Sequence, residues 1–285
     1  DGTEQEIGWA TVRNRSLKIS ELLAHTVASS AANRWAGGAL RTAESHWRHE
    51  QLDAAELRSL RRRLTAIADS ASYMALSMDF SFLVDPEREL LSIGYSVETG
   101  KLDESCYDLL ASEARLASFF AIAKGDLGAR HWFRLGRTLL PVSGTSVLIS
   151  WSGSMFEYLM PDLVTMTPRD SLLGSTARAA IAEQMRFGIR NGTPWGVSES
   201  AYNARDLEFT YQYSSFGVPE LGLKRGLGEN LVIAPYATAL ASMFVPNAAA
   251  GNFERLAAKN GCGDYGFYEA IDFTPSRVVP NEQYE

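Results

Sequence analysis

The chain has 285 residues, 46% hydrophobic and 21% charged, which is enough to bury one substantial core and lies near the size at which cores begin to divide. A formal net charge of −7 argues against an extended phosphate-binding surface, and the basic run at Arg58, Arg61, Arg62 and Arg63 reads as a solvated helix face, so nucleic acid is not an expected partner. Cys106 and Cys262 are too far apart in sequence for metal spacing or a disulfide framework and suit a reducing compartment, so neither a metal nor a cofactor is expected.

The chain opens DGTEQEIGWA, without an initiator Met or a signal-peptide pattern, and reads as an excised or processed piece. Helical spacing is evident over 17–35 and 53–79, with Ser20 or Asp53 as candidate caps. The segment 79–105, DFSFLVDPERELLSIGYSVETGKLDES, has the short apolar runs and turn residues of a hairpin or an extended crossing. Further helices are predicted over 108–123, 129–139, 154–166, 171–190, 230–244 and 247–259. The intervening 192–228, GTPWGVSESAYNARDLEFTYQYSSFGVPELGLKRGLG, is too rich in Gly, Pro and aromatics for a plain helix and too long for an idle connection. The longest uncharged stretch, 230–253, is interrupted by Pro235 and Pro246 and falls short of the ~20 apolar residues of a membrane span. The pattern is that of helical hairpins packed side by side, 1–79 as a lead-in packed on a main domain over 80–285.

Candidate chemistry lies in acids set among aromatics. In YDLLASEARLASFF, the stripe Leu109, Glu113, Leu116, Phe120 places a carboxylate on the core-facing side of a helix. Burying it alone is costly, so Glu113 either pairs with a cation such as Arg115 or borders a wet cleft. Glu199, between Trp195 and Tyr202, follows a Pro and Gly turn; a helix-capping role competes there with a catalytic one. Glu157 in WSGSMFEYLMP and Glu269 in GDYGFYEAIDF repeat the pattern. Paired carboxylates beside aromatic platforms suit glycosidic chemistry, in which one protonates the leaving oxygen and the other attacks or activates at the anomeric carbon. The 6 Trp, 11 Tyr and 13 Phe supply faces on which sugars stack, although cores absorb most aromatics. His46 and His49 read as surface residues, His131 as structural or sugar-contacting, and Lys224 and Arg225 as neutralising buried acids or facing solvent. No Walker loop, GxGxxG, HExxH or GxSxG is present.

Seven ordered segments, YDLLASEARLASF, HWFRLGR, SWSGSMFEYLMP, PWGVSESAYN, YQYSSFGVPELGLKRGL, VIAPYATALA and YGFYEAIDFTPSR, resemble the glucoamylase-like region of bacterial cyclic β-1,2-glucan synthases, over roughly residues 80–277. The resemblance implies an all-α (α/α)6 barrel with minor β-hairpins and a substrate cleft at one end. It further implies closure of a linear β-1,2-glucan into a ring by retaining transglycosylation. Glu113 and Glu199 are then the reacting pair, with Glu199 as acid/base and Glu113 as nucleophile. Asp108, Arg115, Trp151, Glu157, Trp195, Tyr202, Tyr211, Gln212, Tyr213, Tyr268 and Glu269 would hold the glucan.

The implied partners are the β-1,2-glucan chain and the glycosyltransferase and phosphorylase-like domains of a larger synthase, on the cytoplasmic side of the bacterial inner membrane. The family's barrel continues past the TPSR segment whereas this chain stops at Glu285, so an incomplete ring that binds glucan without turning it over is also an expectation. A hydrolase of the same glucan, and a non-catalytic glucan-holding module, are the competing readings.

Overall fold

The computed structural model of the chain describes residues 8–25 and 30–278; the side chains at 30 and 112–114 lie outside that description. The chain divides into two compact units, Asp1–Met78 and Asp79–Glu285.

The first unit holds α1 (Trp9–Ala24), α2 (Ser30–Glu50) and α3 (Ala54–Ser77). The start of α1 lies against the end of α2: the Trp9 ring stacks on His46 at 4.0 Å and the Arg13 guanidinium sits 4.7 Å from the Trp47 ring centre. The helix expected over 17–35 is therefore divided between α1 and α2, and Ser20 stands inside α1 rather than at its start. Two adjoining 3.6-residue repeats merge when read in sequence. Asp53 does cap α3: its Oδ1 accepts from the N–H groups of Ala55 (2.7 Å) and Glu56 (2.8 Å), and Glu56 accepts from Asp53 N–H at 2.9 Å.

The second unit begins with two short antiparallel pairs, β1 (Val84–Asp85) with β2 (Leu90–Leu91) and β3 (Tyr95–Ser96) with β4 (Lys101–Leu102). Helix α4 (Ser112–Lys124) follows and ends at Gly125, whose φ of 97° is the left-handed conformation that lets the chain leave the last turn. The predicted helix over 129–139 is instead a 3-10 turn, Ala129–Arg134, running into β5 (Leu139–Val142), paired with β6 (Thr145–Leu148). Gly136 and Pro141 break the helical pattern there. The helix predicted over 154–166 is short for a related reason. Helix α5 (Met155–Leu159) gives way to a 3-10 turn at Met160–Leu163, because Pro161 has no N–H with which to continue the ladder.

Helix α6 (Leu172–Asn191) is the central element, capped by Ser171 Oγ on Gly174 N–H (3.1 Å) and closed by Gly192. Its Ala177, Ala180 and Ile181 are almost fully buried among Val147, Ile149, Met155 and Leu159. After it come β7 (Ser200–Arg205) and β8 (Tyr211–Ser214), β9 (Val232–Ile233), α7 (Pro235–Ser242) and α8 (Pro246–Ala258). The hairpin of β10 (Cys262–Gly263) and β11 (Gly266–Phe267) precedes β12 (Ile271–Asp272), which returns to pair with β9. An isolated bridge adds Val197 to Ile233, so three distant segments form one buried ribbon. The described residues are thus mostly helical, with short strand pairs, and none of their helices is long and apolar enough to cross a membrane.

Candidate functional site

Three loops meet over the buried ribbon, and each is held by polar groups that the sequence places far away. Gln184 on α6 grips Val197 at both ends, its Oε1 accepting from Val197 N–H (2.8 Å) and its Nε2 donating to Val197 C=O (2.8 Å). Asn252 on α8 does the same for Trp195, accepting from its N–H at 3.1 Å and donating to its C=O at 2.8 Å. Both amides are buried and fully used, which fixes the course of 195–198.

Glu157 organises the first of the three loops in chain order, 150–154. Its Oε2 accepts from Ser152 Oγ (2.6 Å), Ser150 Oγ (2.9 Å) and Ser154 N–H (3.1 Å), so the carboxylate is occupied by the loop that precedes its own helix. Tyr158 Oη accepts from Ser150 N–H (3.1 Å) and lies 2.8 Å from Leu221 C=O. Burial pushes its pKa up to about 12, so it stays a donor. The third loop, 216–223, lies directly on the first: a Cβ at Gly217 would come 1.7 Å from Ser152 C=O, a contact that only glycine avoids.

Tyr236, at the start of α7, closes the assembly. Its Oη is 2.9 Å from Glu199 C=O and 2.7 Å from Ser198 Oγ. A carbonyl can only accept, so Tyr236 donates to Glu199 C=O and accepts a hydrogen bond from the Ser198 hydroxyl, while Phe156 N–H donates to Ser198 Oγ at 3.0 Å. The result is a relay of aligned donors, Phe156 to Ser198 to Tyr236 to the Glu199 backbone. Burial raises the Tyr236 pKa above the ordinary phenol range; the Ser198 bond opposes this, and the nearby charges of Glu199, Tyr213 and Glu269 add to it.

Beside this relay opens a cleft of about 320 Å³, lined by Tyr202, Asn203, Tyr211, Tyr268, Glu269 and Asp272 among others. Glu269, one of the lining residues, accepts from Ala201 N–H at Oε1 (2.9 Å). The Asp272 carboxylate, by contrast, is consumed by its surroundings. Its Oδ2 accepts from Arg277 Nε (2.6 Å) and Asn203 N–H (3.2 Å), and its Oδ1 from Thr274 N–H (2.9 Å). The same guanidinium lies 4.8 Å from the centre of the Tyr202 ring, so the ion pair forms a rigid floor under an aromatic wall.

Some of the residues singled out in the sequence meet at the cleft and others do not. Tyr202, Tyr211, Tyr268 and Glu269 line the cleft, and the charges of Glu199 and Tyr213 are felt by Tyr236. Tyr211 has the Arg205 guanidinium 4.3 Å from its ring centre, and Gln212 donates weakly to Asp206 at 3.4 Å. Trp151 is exposed on the first loop, its carbonyl bound by Leu223 N–H (2.9 Å) and Lys224 N–H (2.8 Å). Trp195 presents no stacking face: it is 3% exposed, in the core against Gly188. Asp108 pairs with Arg137 and accepts from Leu110 N–H at 2.8 Å. Arg115 is buried; burial lowers its pKa and the Asp162 charge opposes the shift. Glu113 lies in the first turn of α4, and its side chain is outside the described residues. Lys224 Nζ donates to Ser215 C=O and Oγ, both at 2.9 Å, rather than to a buried acid, and Arg225 is exposed. His131 is structural, its ring nitrogens meeting Glu89 C=O (3.0 Å) and Ser118 Oγ (2.9 Å).

Tyr236, Asp272, Arg277 and Glu183 were not among those residues. Glu183 is fully buried on α6, bonded to Ser143 Oγ (2.7 Å), Arg186 Nε (2.9 Å) and Arg190 Nη1 (2.9 Å). Nothing in its local sequence distinguishes it from a helix-surface acid beside arginines. Tyr236 does stand in a quoted segment, VIAPYATALA, but its partner Ser198 is 38 residues away.

Comparison with known proteins points to a carbohydrate-active class. The family model described as "Putative glucoamylase" matches residues 105–284, and the chain belongs to this glycoamylase family. The cyclic beta-(1,2)-glucan synthase NdvB of Rhizobium meliloti (strain 1021) is 54% identical over 258 residues, which is 90% of this chain but 9% of that protein. The chain therefore spans under a tenth of the length of the relative it matches.

Proposed function

We propose that this chain is a glucan-processing domain that closes linear β-1,2-glucan into rings by retaining intramolecular transglycosylation. The observation that carries the reading is the convergence of five ordered segments, around Ser152, Glu199, Gly217, Tyr236 and Glu269, beside one aromatic cleft. In this account Glu113 attacks the anomeric carbon, and Glu199 protonates the departing glycosidic oxygen, directly or through a substrate hydroxyl. A hydroxyl from the other end of the glucan then gives its proton to Glu199 and displaces Glu113. One glycosidic bond is lost and one formed, and no water is consumed. Glu269 holds sugar hydroxyls and Glu157 keeps the first loop in place.

The unit Asp79–Glu285 is the glucoamylase-like domain, part of an (α/α)6 ring, and Asp1–Met78 is its lead-in. The length of the relative supports a setting among further domains; in this reading they are glycosyltransferase and phosphorylase-like domains of a synthase of the bacterial inner membrane. The test is to incubate the chain with linear β-1,2-glucan and weigh the products. Species one water lighter than a linear chain of equal length are expected from the wild type. Their rate should fall about 10²–10⁴-fold in both Glu113→Gln and Glu199→Gln. Saturable binding with no products from any of the three proteins would replace catalysis with glucan holding.

A further inference from the structure

A second depression shares a wall with the cleft. Tyr268 and Glu269 border both, but beyond them the second, of about 400 Å³, is walled by Pro235, Ala239, Phe253 and Phe267, with the Tyr236 side chain at its edge. The two differ in chemistry. The first is lined by Asn203 and Asp272 as well as by tyrosines; the surface of the second is mostly apolar. Phe253 and Phe267 lie 5.1 Å apart at 37°, forming a tilted aromatic corner, and Phe267 and Ala239 are exposed, so the depression is open to solvent.

Such a surface holds water poorly, because it returns few of the hydrogen bonds that water gives up. A glucose unit fits it differently. The C–H face of the ring would lie on the phenyl groups while an edge hydroxyl reaches Glu269 at the rim. Building on the glucan reading above, we infer that this depression is the acceptor subsite, holding the glucose unit whose hydroxyl resolves the glycosyl-enzyme, with Tyr268–Glu269 dividing donor from acceptor. In that step the ester bond between the anomeric carbon and the nucleophilic carboxylate breaks, and its electron pair returns to the carboxylate. The acceptor oxygen forms the new glycosidic bond and its proton passes to the acid/base carboxylate. The site thus biases the outcome toward transfer by positioning a sugar hydroxyl where water is ill held.

Ala239→Gln fills the depression from an exposed position of α7 with a good helix former, and Phe267→Ala removes one aromatic wall. With linear β-1,2-glucan, the ratio of rings to new reducing ends is expected to fall about tenfold in each variant. An unchanged ratio would overturn the inference. If the wild type forms neither product, the cyclisation reading has failed on its own, and sophorose titration followed by NMR tests the subsite directly. Sophorose binding weakened about tenfold by both substitutions keeps the depression as a glucose site; equal binding by all three proteins removes it.

Discussion

Tyr236 acts on Glu199 through the main chain, since its proton goes to the Glu199 carbonyl and its oxygen receives the Ser198 hydroxyl. Tyr236→Phe deletes both bonds with little change of volume and leaves a hydroxyl and a carbonyl short of partners, a loss of about 1–3 kcal/mol. If that bond positions the acid/base, kcat for ring formation falls about tenfold while KM stays within about twofold. The same substitution in a Glu199→Gln background should then have no further effect. Additive losses in that double-mutant cycle would make Tyr236 a merely structural residue. Glu183 titrates a different part of the molecule. Burial alone would raise its pKa, but the bonds from Ser143, Arg186 and Arg190 outweigh burial and hold it below the usual carboxylate range. A depressed folded-state pKa contributes stability that is complete above the unfolded value of about 4.3 and is lost as pH falls through the folded one. Denaturant unfolding between about pH 5 and 3 should therefore show a shallower loss of stability in Glu183→Gln than in the wild type.

At the scale of elements, close backbone approach sets the loops that frame the cleft. Gly217→Ala would drive a methyl into Ser152 C=O, and overpacking of this kind costs about 1–3 kcal/mol, seen as a lower Tm. Gly251, inside α8, meets nothing within 4 Å, so Gly251→Ala should raise stability by about 0.5–1 kcal/mol. An equal effect of the two substitutions would show that helix propensity, not loop stacking, governs both sites. The same contrast explains what could be read in advance. Helix α6 was legible because its period, its Ser171 cap and its Gly192 terminator all lie within it. Residues 129–139 and 154–166 misled because apolar spacing survives where Gly136 and Pro161 stop the ladder. Glycine and aromatic richness marked 192–228 as functional, yet the reason Gly217 must be glycine is Ser152, 65 positions earlier.

For the whole molecule, acids among aromatics were visible one segment at a time, whereas their meeting depends on topology. Val197, Ile233 and Ile271 become neighbours only when β12 returns to β9, and that return brings Glu269 to the Glu199 side of the fold. It also separates two roles that look alike in sequence. Glu269 lines the cleft and holds Ala201 N–H, while Glu157 is bound by three serines of the loop before its helix. Trp195 shows the same limit, since the resemblance makes it a glucan-holding residue whereas Asn252 anchors it in the core. The central claim is that the cleft passes a glycosyl group to a sugar hydroxyl in preference to water. Its most direct test is turnover of linear β-1,2-glucan in heavy-oxygen water with mass analysis of the products. The account predicts unlabelled rings from the wild type and none from Glu199→Gln. Labelled linear chains without rings, or rings undiminished in Glu199→Gln, would contradict it.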